Sequence, residues 1–166
     1  MEYQSIAKIK RLLYVLATNV PFIPNISKLS DKVGLNRNAL VQALQLMNKA
    51  NLIHILYKQS KSVSTLSKPD KIWLNNSNIS YALAKNIPDV GTLRETFFIS
   101  QIYALYNVSI PPKGDFIIND KYIFEVGGKN KSHNQIKDLD NAFVVKDDIE
   151  IGIMNSIPLW LFGLLY

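Results

Sequence analysis

"GDFIINDKYIFEVGGKNKSHNQIKD", residues 114–138, decides how the chain is read. Phe116 to Ile118 is a short apolar run, and Tyr122 to Val126 is another. Asn119 and Asp120 stand between them, residue types that tolerate the positive φ of a tight hairpin turn. The expectation is two strands around that turn. Asp115 then opens the first strand and Glu125 lies near the end of the second. In an antiparallel hairpin those ends are adjacent, so two carboxylates distant in sequence converge. Mg²⁺ uses one or two carboxylates and keeps several waters, which makes the pair a candidate metal site. A lysine nearby would orient or deprotonate an attacking water, or stabilise charge developing on a phosphate.

Beyond Glu125 come two glycines, two lysines and "SHNQIKDLDN", expected as a short helix. "AFVV" and "IEIGI" are expected as further strands. The apolar ending "IPLWLFGLLY" is too short to span a bilayer and is expected to close the core. Upstream, "TLRETFFISQIYALYN" has the composition of a helix, capped by Thr92, with Glu95 in its first turn. "SNISYALAKNIPDVG" predicts a short helix and then a linker at Pro88 to Gly91. Trp73 and Trp160 are expected in the core, and so is His54 among its apolar neighbours.

The first half is a different kind of chain. Ile6, Ile9, Leu13 and Leu16 repeat at helical spacing. In "NISKLSDKVGLNRNALVQALQLMNKANL", Ser27 is placed to cap a short helix ending at Val33, and Gly34 supplies the turn. Asn36 is placed to cap a second helix from about Arg37 to Ala50, with Leu40, Ala43, Leu44 and Met47 inward. A short helix, a glycine turn and a longer helix form the helix-turn-helix pattern. "LIHILY" and "IWL" then predict two strands around a polar tip, a wing. The outward helix residues Arg37, Asn38, Gln42, Gln45 and Lys49, with Lys58, Lys61, Lys68 and Lys71 of the wing, are the candidate nucleic-acid contacts. Amides pair with adenine edges and Arg with guanine or phosphate.

Charge supports the division. Residues 1–90 hold 12 Lys and Arg against 4 Asp and Glu, a net of +8; residues 91–166 hold 7 against 9, a net of −2. The basic part suits a polyanion and the acidic part holds the metal-ligand candidates. With no cysteine among the 166 residues, disulfides, thiolate nucleophiles and cysteine zinc sites are excluded. No phosphate-cradling glycine motif occurs, and no apolar run reaches the length of a membrane span. A cytoplasmic address is expected.

Asp115 followed by "FEVGGK" from Phe124 resembles the PD-(D/E)XK signature of restriction-endonuclease-like nucleases. Residues 92–166 resemble the nuclease-like domain of unknown function at the C-terminus of many prokaryotic AAA-type ATPases, where a winged helix commonly precedes it. The closest parallels are the opening stretch and the ending "IPLWLFG". The resemblance implies that Asp115 and Glu125 are metal-binding acids, that Glu95 is a further acid, and that Gln135 is a neighbour of the site. It also implies work beside an ATPase motor, in the same chain or another. The departure is at the lysine. The motif requires Glu-X-Lys, whereas position 127 is glycine and lysine first appears at 129. The two glycines allow the loop to fold back and return the Lys129 ammonium, or to leave it in solvent.

The fold expected is α+β, with an N-terminal winged helix-turn-helix over residues 1–88 and a small α/β restriction-endonuclease-like domain over residues 89–166. The function expected is nucleic-acid binding, foremost to double-stranded DNA, by a module whose nuclease-like centre is degenerate and inactive. The alternatives are an active Mg²⁺-dependent DNA or RNA nuclease using Asp115, Glu125 and Lys129, and a protein-interaction domain docking through "LWLFGLLY".

Overall fold

The computed structural model describes residues 3–59, 68–83 and 87–165, with side chains described from residue 6. The protein is a mixed α+β chain that divides into two compact units, residues 1–55 with 61–88 and residues 56–60 with 89–166.

The first unit begins with α1 (Tyr3–Ala17), α2 (Ile26–Val33) and α3 (Arg37–Lys49). In α1 the inward stripe is Leu12, Val15 and Leu16, whereas Ile6 is 40% exposed, so the buried face is rotated from the one expected. Asn25, not Ser27, caps α2, its side chain accepting from the Lys28 amide at 3.1 Å. Gly34 stops α2 with a left-handed backbone, φ 73°, that costs glycine little. Asn36 then caps α3, its Oδ1 accepting from the Ala39 amide at 2.9 Å, and Leu40, Ala43, Leu44 and Met47 face inward. Strands β1 (Ile53–Leu56) and β2 (Lys71–Leu74) pair in a two-stranded sheet. Phe22, in the turn after α1, exchanges backbone hydrogen bonds with Ile72 of β2 at 2.8 and 2.9 Å. Trp73 is fully buried, His54 is 3% exposed, and α4 (Ser77–Leu83) completes the unit.

The second unit is built on α5 (Val90–Ile102) and a five-stranded sheet. Its strands are β3 (Val108–Ser109), β4 (Phe116–Ile118), β5 (Tyr122–Gly127), β6 (Ala142–Lys146) and β7 (Ser156–Pro158), hydrogen-bonded in that order. β4 and β5 form the antiparallel hairpin, with Phe116 opposite Phe124, around Asn119 and Asp120 at φ 52° and 54°. β6 joins β5 in parallel, and β7 joins β6 in parallel. Phe98 of α5 packs on the sheet, 5.3 Å from the Phe116 ring and 5.4 Å from the Phe124 ring, and 4.7 Å from the Phe162 ring. Asp89, not Thr92, caps α5, its Oδ2 accepting from the Thr92 amide at 2.9 Å.

Three expectations about elements fail. "SHNQIKDLDN" is a chain of turns rather than a helix, closed by bonds such as Ile136 N–H to His133 C=O at 3.0 Å. "IEIGI" is a loop with a single bridge, Ile153 to Ser156, and the strand lies just beyond it as β7. The ending forms a 3₁₀-helix, Leu159–Leu164, that buries Leu159 and Phe162 but leaves Trp160 52% exposed. Among the described residues no helix is long and apolar enough to cross a membrane.

Candidate functional site

The hairpin register builds the site. Asp115 stands one step before the Phe116–Phe124 pair, and Glu125 one step after it. Asp115 itself lies just outside the paired strand, so its own hydrogen bonds place it. The Asp115 N–H donates to the Phe124 C=O at 2.9 Å, and Asp115 Oδ2 accepts from the Val126 N–H at 2.8 Å. Asp115 is therefore fixed across the end of the hairpin, with part of its charge spread into the β5 backbone.

Glu125 is 1% exposed. An isolated carboxylate buried to that degree is strongly disfavoured, and its counter-charge is Lys131. Lys131 Nζ lies 2.5 Å from Glu125 Oε1. The Gln135 amide lies 3.1 Å from Oε1 and 3.3 Å from Oε2; facing two acceptors, the atom so placed must be its NH₂ group. Burial alone would lower the Lys131 ammonium. The hydrogen bond and charge of Glu125, and then the charges of Asp115 and Glu95, outweigh it and hold Lys131 above the ordinary lysine value. Lys131 is thus a fixed cation at neutral pH, not a proton acceptor.

The two glycines explain how Lys131 gets there. The Lys131 N–H closes a turn on the Gly128 C=O at 2.9 Å, which folds the chain back over the strand it has just left. A Cβ on residue 127 would meet Cδ, Cγ and Cβ of Lys131 at 2.6, 2.7 and 2.8 Å. The Lys131 stem therefore fills the space where a side chain at 127 would begin. A lysine four positions further along the chain thus stands beside Glu125 in the space next to residue 127. Lys129, expected as the catalytic lysine, is exposed and lines a different cleft, with Lys146 and His133.

Arg94 of α5 clamps the same loop. Its Nε donates to Asp147 Oδ2 at 2.9 Å, and Nη2 lies 3.5 Å from Asp148 Oδ2. The guanidinium also packs on Gly128, where a Cβ would meet Nη1 at 3.0 Å. The next residue on α5, Glu95, is half-buried and acts on Lys131 through its charge. The expected three-acid metal set of Asp115, Glu125 and Glu95 is not assembled as such: among the described residues no three His, Asp or Glu side chains group to hold an ion. What all three acids share is the Lys131 ammonium. Gln135 does stand at the site, from a turn rather than a helix.

In the first unit Asn38, Gln42, Gln45 and Lys49 are exposed along one face of α3, and Arg37 is exposed at its start. Lys68 is exposed as well, Lys71 lies over the Trp73 ring at 5.5 Å, and Lys58, also exposed, belongs to the second unit. Lys61 lies outside the described residues. Family models, curated proteins and solved structures were each compared with the chain, and none matches.

Proposed function

We propose that the chain is a nucleic-acid-binding module, a winged helix joined to a restriction-endonuclease-like domain whose centre binds without cutting. The observation that carries this reading is the closed state of Glu125. Its carboxylate is buried, one oxygen is held by Lys131, and Gln135 covers both. A divalent cation seeking Glu125 has to displace a fixed ammonium and an amide from a buried carboxylate, at the cost of breaking an ion pair whose acid is out of water. Lys131 and Gln135 on Glu125, with Asp115 fixed at the start of the same hairpin, support a centre whose charge is already neutralised from within the chain. In the first unit, the exposed Arg and amide face of α3 and the net of +8 over residues 1–90 support contact with a duplex. In this reading the module works in the cytoplasm beside an ATPase motor, as the resemblance implies.

A second reading, an active Mg²⁺-dependent nuclease, is favoured by the Gly127–Lys131 arrangement, which restores the lysine of the motif. In it Asp115 and Glu125 would hold the cation, which polarises the phosphodiester, while the Lys131 ammonium stabilises negative charge on the phosphate oxygens. Both readings are tested together. Duplex DNA is titrated with the protein across a salt series, and supercoiled plasmid and single-stranded DNA are incubated with it and Mg²⁺ or Mn²⁺. Salt-sensitive binding with no nicking is expected. Cleavage that vanishes in Asp115→Ala establishes the second reading. Absence of duplex binding at low salt overturns the first.

A further inference from the structure

The second unit holds a cleft of about 680 Å³ that the acid centre does not use. It lies outside the carboxyl ends of the parallel strands β5 and β6, where ligands of open α/β sheets commonly sit. Lys146 ends β6, and Lys129 follows β5 by two residues. Both lysines line the cleft, and among the described residues neither has an ion-pair partner. The acids beside Lys146 do not cancel it, since Asp147 and Asp148 are tied to Arg94, and Glu150 is outside the lining. Two unopposed cations in one concave site call for an anion.

The opposite wall calls for something else. Ile151, Ile153 and Met154 are 77%, 71% and 97% exposed, and all three face the cleft. Met154 is held there in a left-handed backbone, φ 54°, that side chains other than glycine, asparagine and aspartate seldom adopt. His133 also lines the cleft, its Nε2 3.4 Å from Ser156 Oγ. A free inorganic anion leaves the apolar wall wet, and a purely apolar ligand leaves the lysines unpaired. A group with a phosphate at one end and a flat, weakly polar body at the other satisfies both.

We propose that this cleft binds a nucleoside phosphate, with the phosphate between Lys129 and Lys146 and the base against Ile151, Ile153 and Met154. The inference deepens the proposed function and rests on it, because the unit then comes from a strand of nucleic acid. A free mononucleotide offers the same chemistry, and the experiment separates the two sources.

Fluorescence anisotropy is measured on the full chain with a labelled single-stranded oligonucleotide and, separately, with a labelled adenosine monophosphate. Lys129→Ala with Lys146→Ala is expected to weaken oligonucleotide binding at least tenfold and to lower the salt slope by about 1. Ile153→Ser is expected to weaken it about fivefold with the slope unchanged, because only apolar contact is lost. Arg37→Ala with Lys49→Ala, on α3, tests the other unit. Oligonucleotide binding unaffected by the Lys129 and Lys146 changes but lost with those on α3 overturns the cleft and leaves the proposed function standing. No oligonucleotide binding, with mononucleotide binding that the lysine changes abolish, keeps the cleft as a mononucleotide site and severs it from the proposed function, which the duplex titration decides. Binding of neither probe overturns the cleft.

Discussion

A methyl group on residue 127 would press on the Lys131 stem at 2.6 to 2.8 Å, so Gly127→Ala is expected to act at a distance, by evicting a lysine. The stem is flexible and will move, but the ammonium then leaves Glu125. Lys131→Met removes it outright and leaves a carboxylate that is 1% exposed without its cation. Breaking a buried pair from one side costs about 3 kcal/mol or more, and the partial exposure of Lys131 lowers that to about 1–3 kcal/mol here. Urea denaturation at neutral pH should show that loss for Lys131→Met and a smaller one for Gly127→Ala. Adding Glu125→Gln to Lys131→Met should recover most of it, because no buried charge then remains to be solvated. If the double variant is as unstable as Lys131→Met alone, the charge of Glu125 is not what Lys131 serves. The acids at this site could be read from the sequence because a hairpin fixes which residues oppose. The lysine could not. Strand spacing separates residue 129 from the motif position and says nothing of a turn that brings residue 131 back. The signal that was there is the glycine at 127, a position left without a side chain because another residue's fills it.

Turns of the sheet illustrate the same division at the scale of elements. Asn119 and Asp120 both adopt left-handed backbones, φ 52° and 54°, at the centre of the turn that the Lys121 N–H closes on the Ile118 C=O, in the three-residue connection between β4 and β5. Asparagine followed by glycine suits that turn best, since glycine has no Cβ to strain. Asp120→Gly is therefore expected to raise stability by up to about 1 kcal/mol, read as a later urea midpoint at unchanged slope. A lower midpoint would mean that the Asp120 carboxylate matters more than its backbone. This hairpin was legible because its turn chemistry and both apolar runs are local. The segment after it was not. Ile136 and Leu139 are three residues apart, as on a helix, but they are pinned instead by successive turns against Ala142 and Val144. A helix so short is marginal by itself, and tertiary packing chose otherwise. β7 escaped notice for a related reason. Three residues ending in proline carry no alternation, and their strand character comes from parallel pairing with β6. Helix starts were misplaced where cap-forming residues crowd, with Asn25 two positions before Ser27 and Asp89 three before Thr92.

The whole molecule is a basic unit and an acidic unit in one chain, and its response to pH should expose that difference. The first unit buries His54 to 3% exposure. Desolvation lowers the imidazole from 6.5 to about 4, with a backbone hydrogen bond at Asn75 opposing it in part. A group whose folded value is depressed binds its proton later in the native state than in the unfolded one. Above pH 6.5 neither state is protonated and stability is unaffected. As pH falls from 6.5 to about 4 the unfolded state gains a proton that the folded state refuses, and stability drops by 1.36 kcal/mol per pH unit, about 3 kcal/mol at most. The new charge also joins a region that already carries +8, which works in the same direction. The second unit has no such histidine, since His133 lies half-exposed at the cleft. Urea unfolding between pH 7 and pH 4.5, followed by the fluorescence of buried Trp73, should show this loss, with His54→Gln flattening the slope. An equal slope in that variant would mean that the acid sensitivity comes from elsewhere in the chain. On the proposed function, duplex bound at α3 should oppose the loss, because a ligand of the folded state stabilises it by mass action. The acid transition should therefore move to lower pH when duplex is present at low salt, and return when salt releases it.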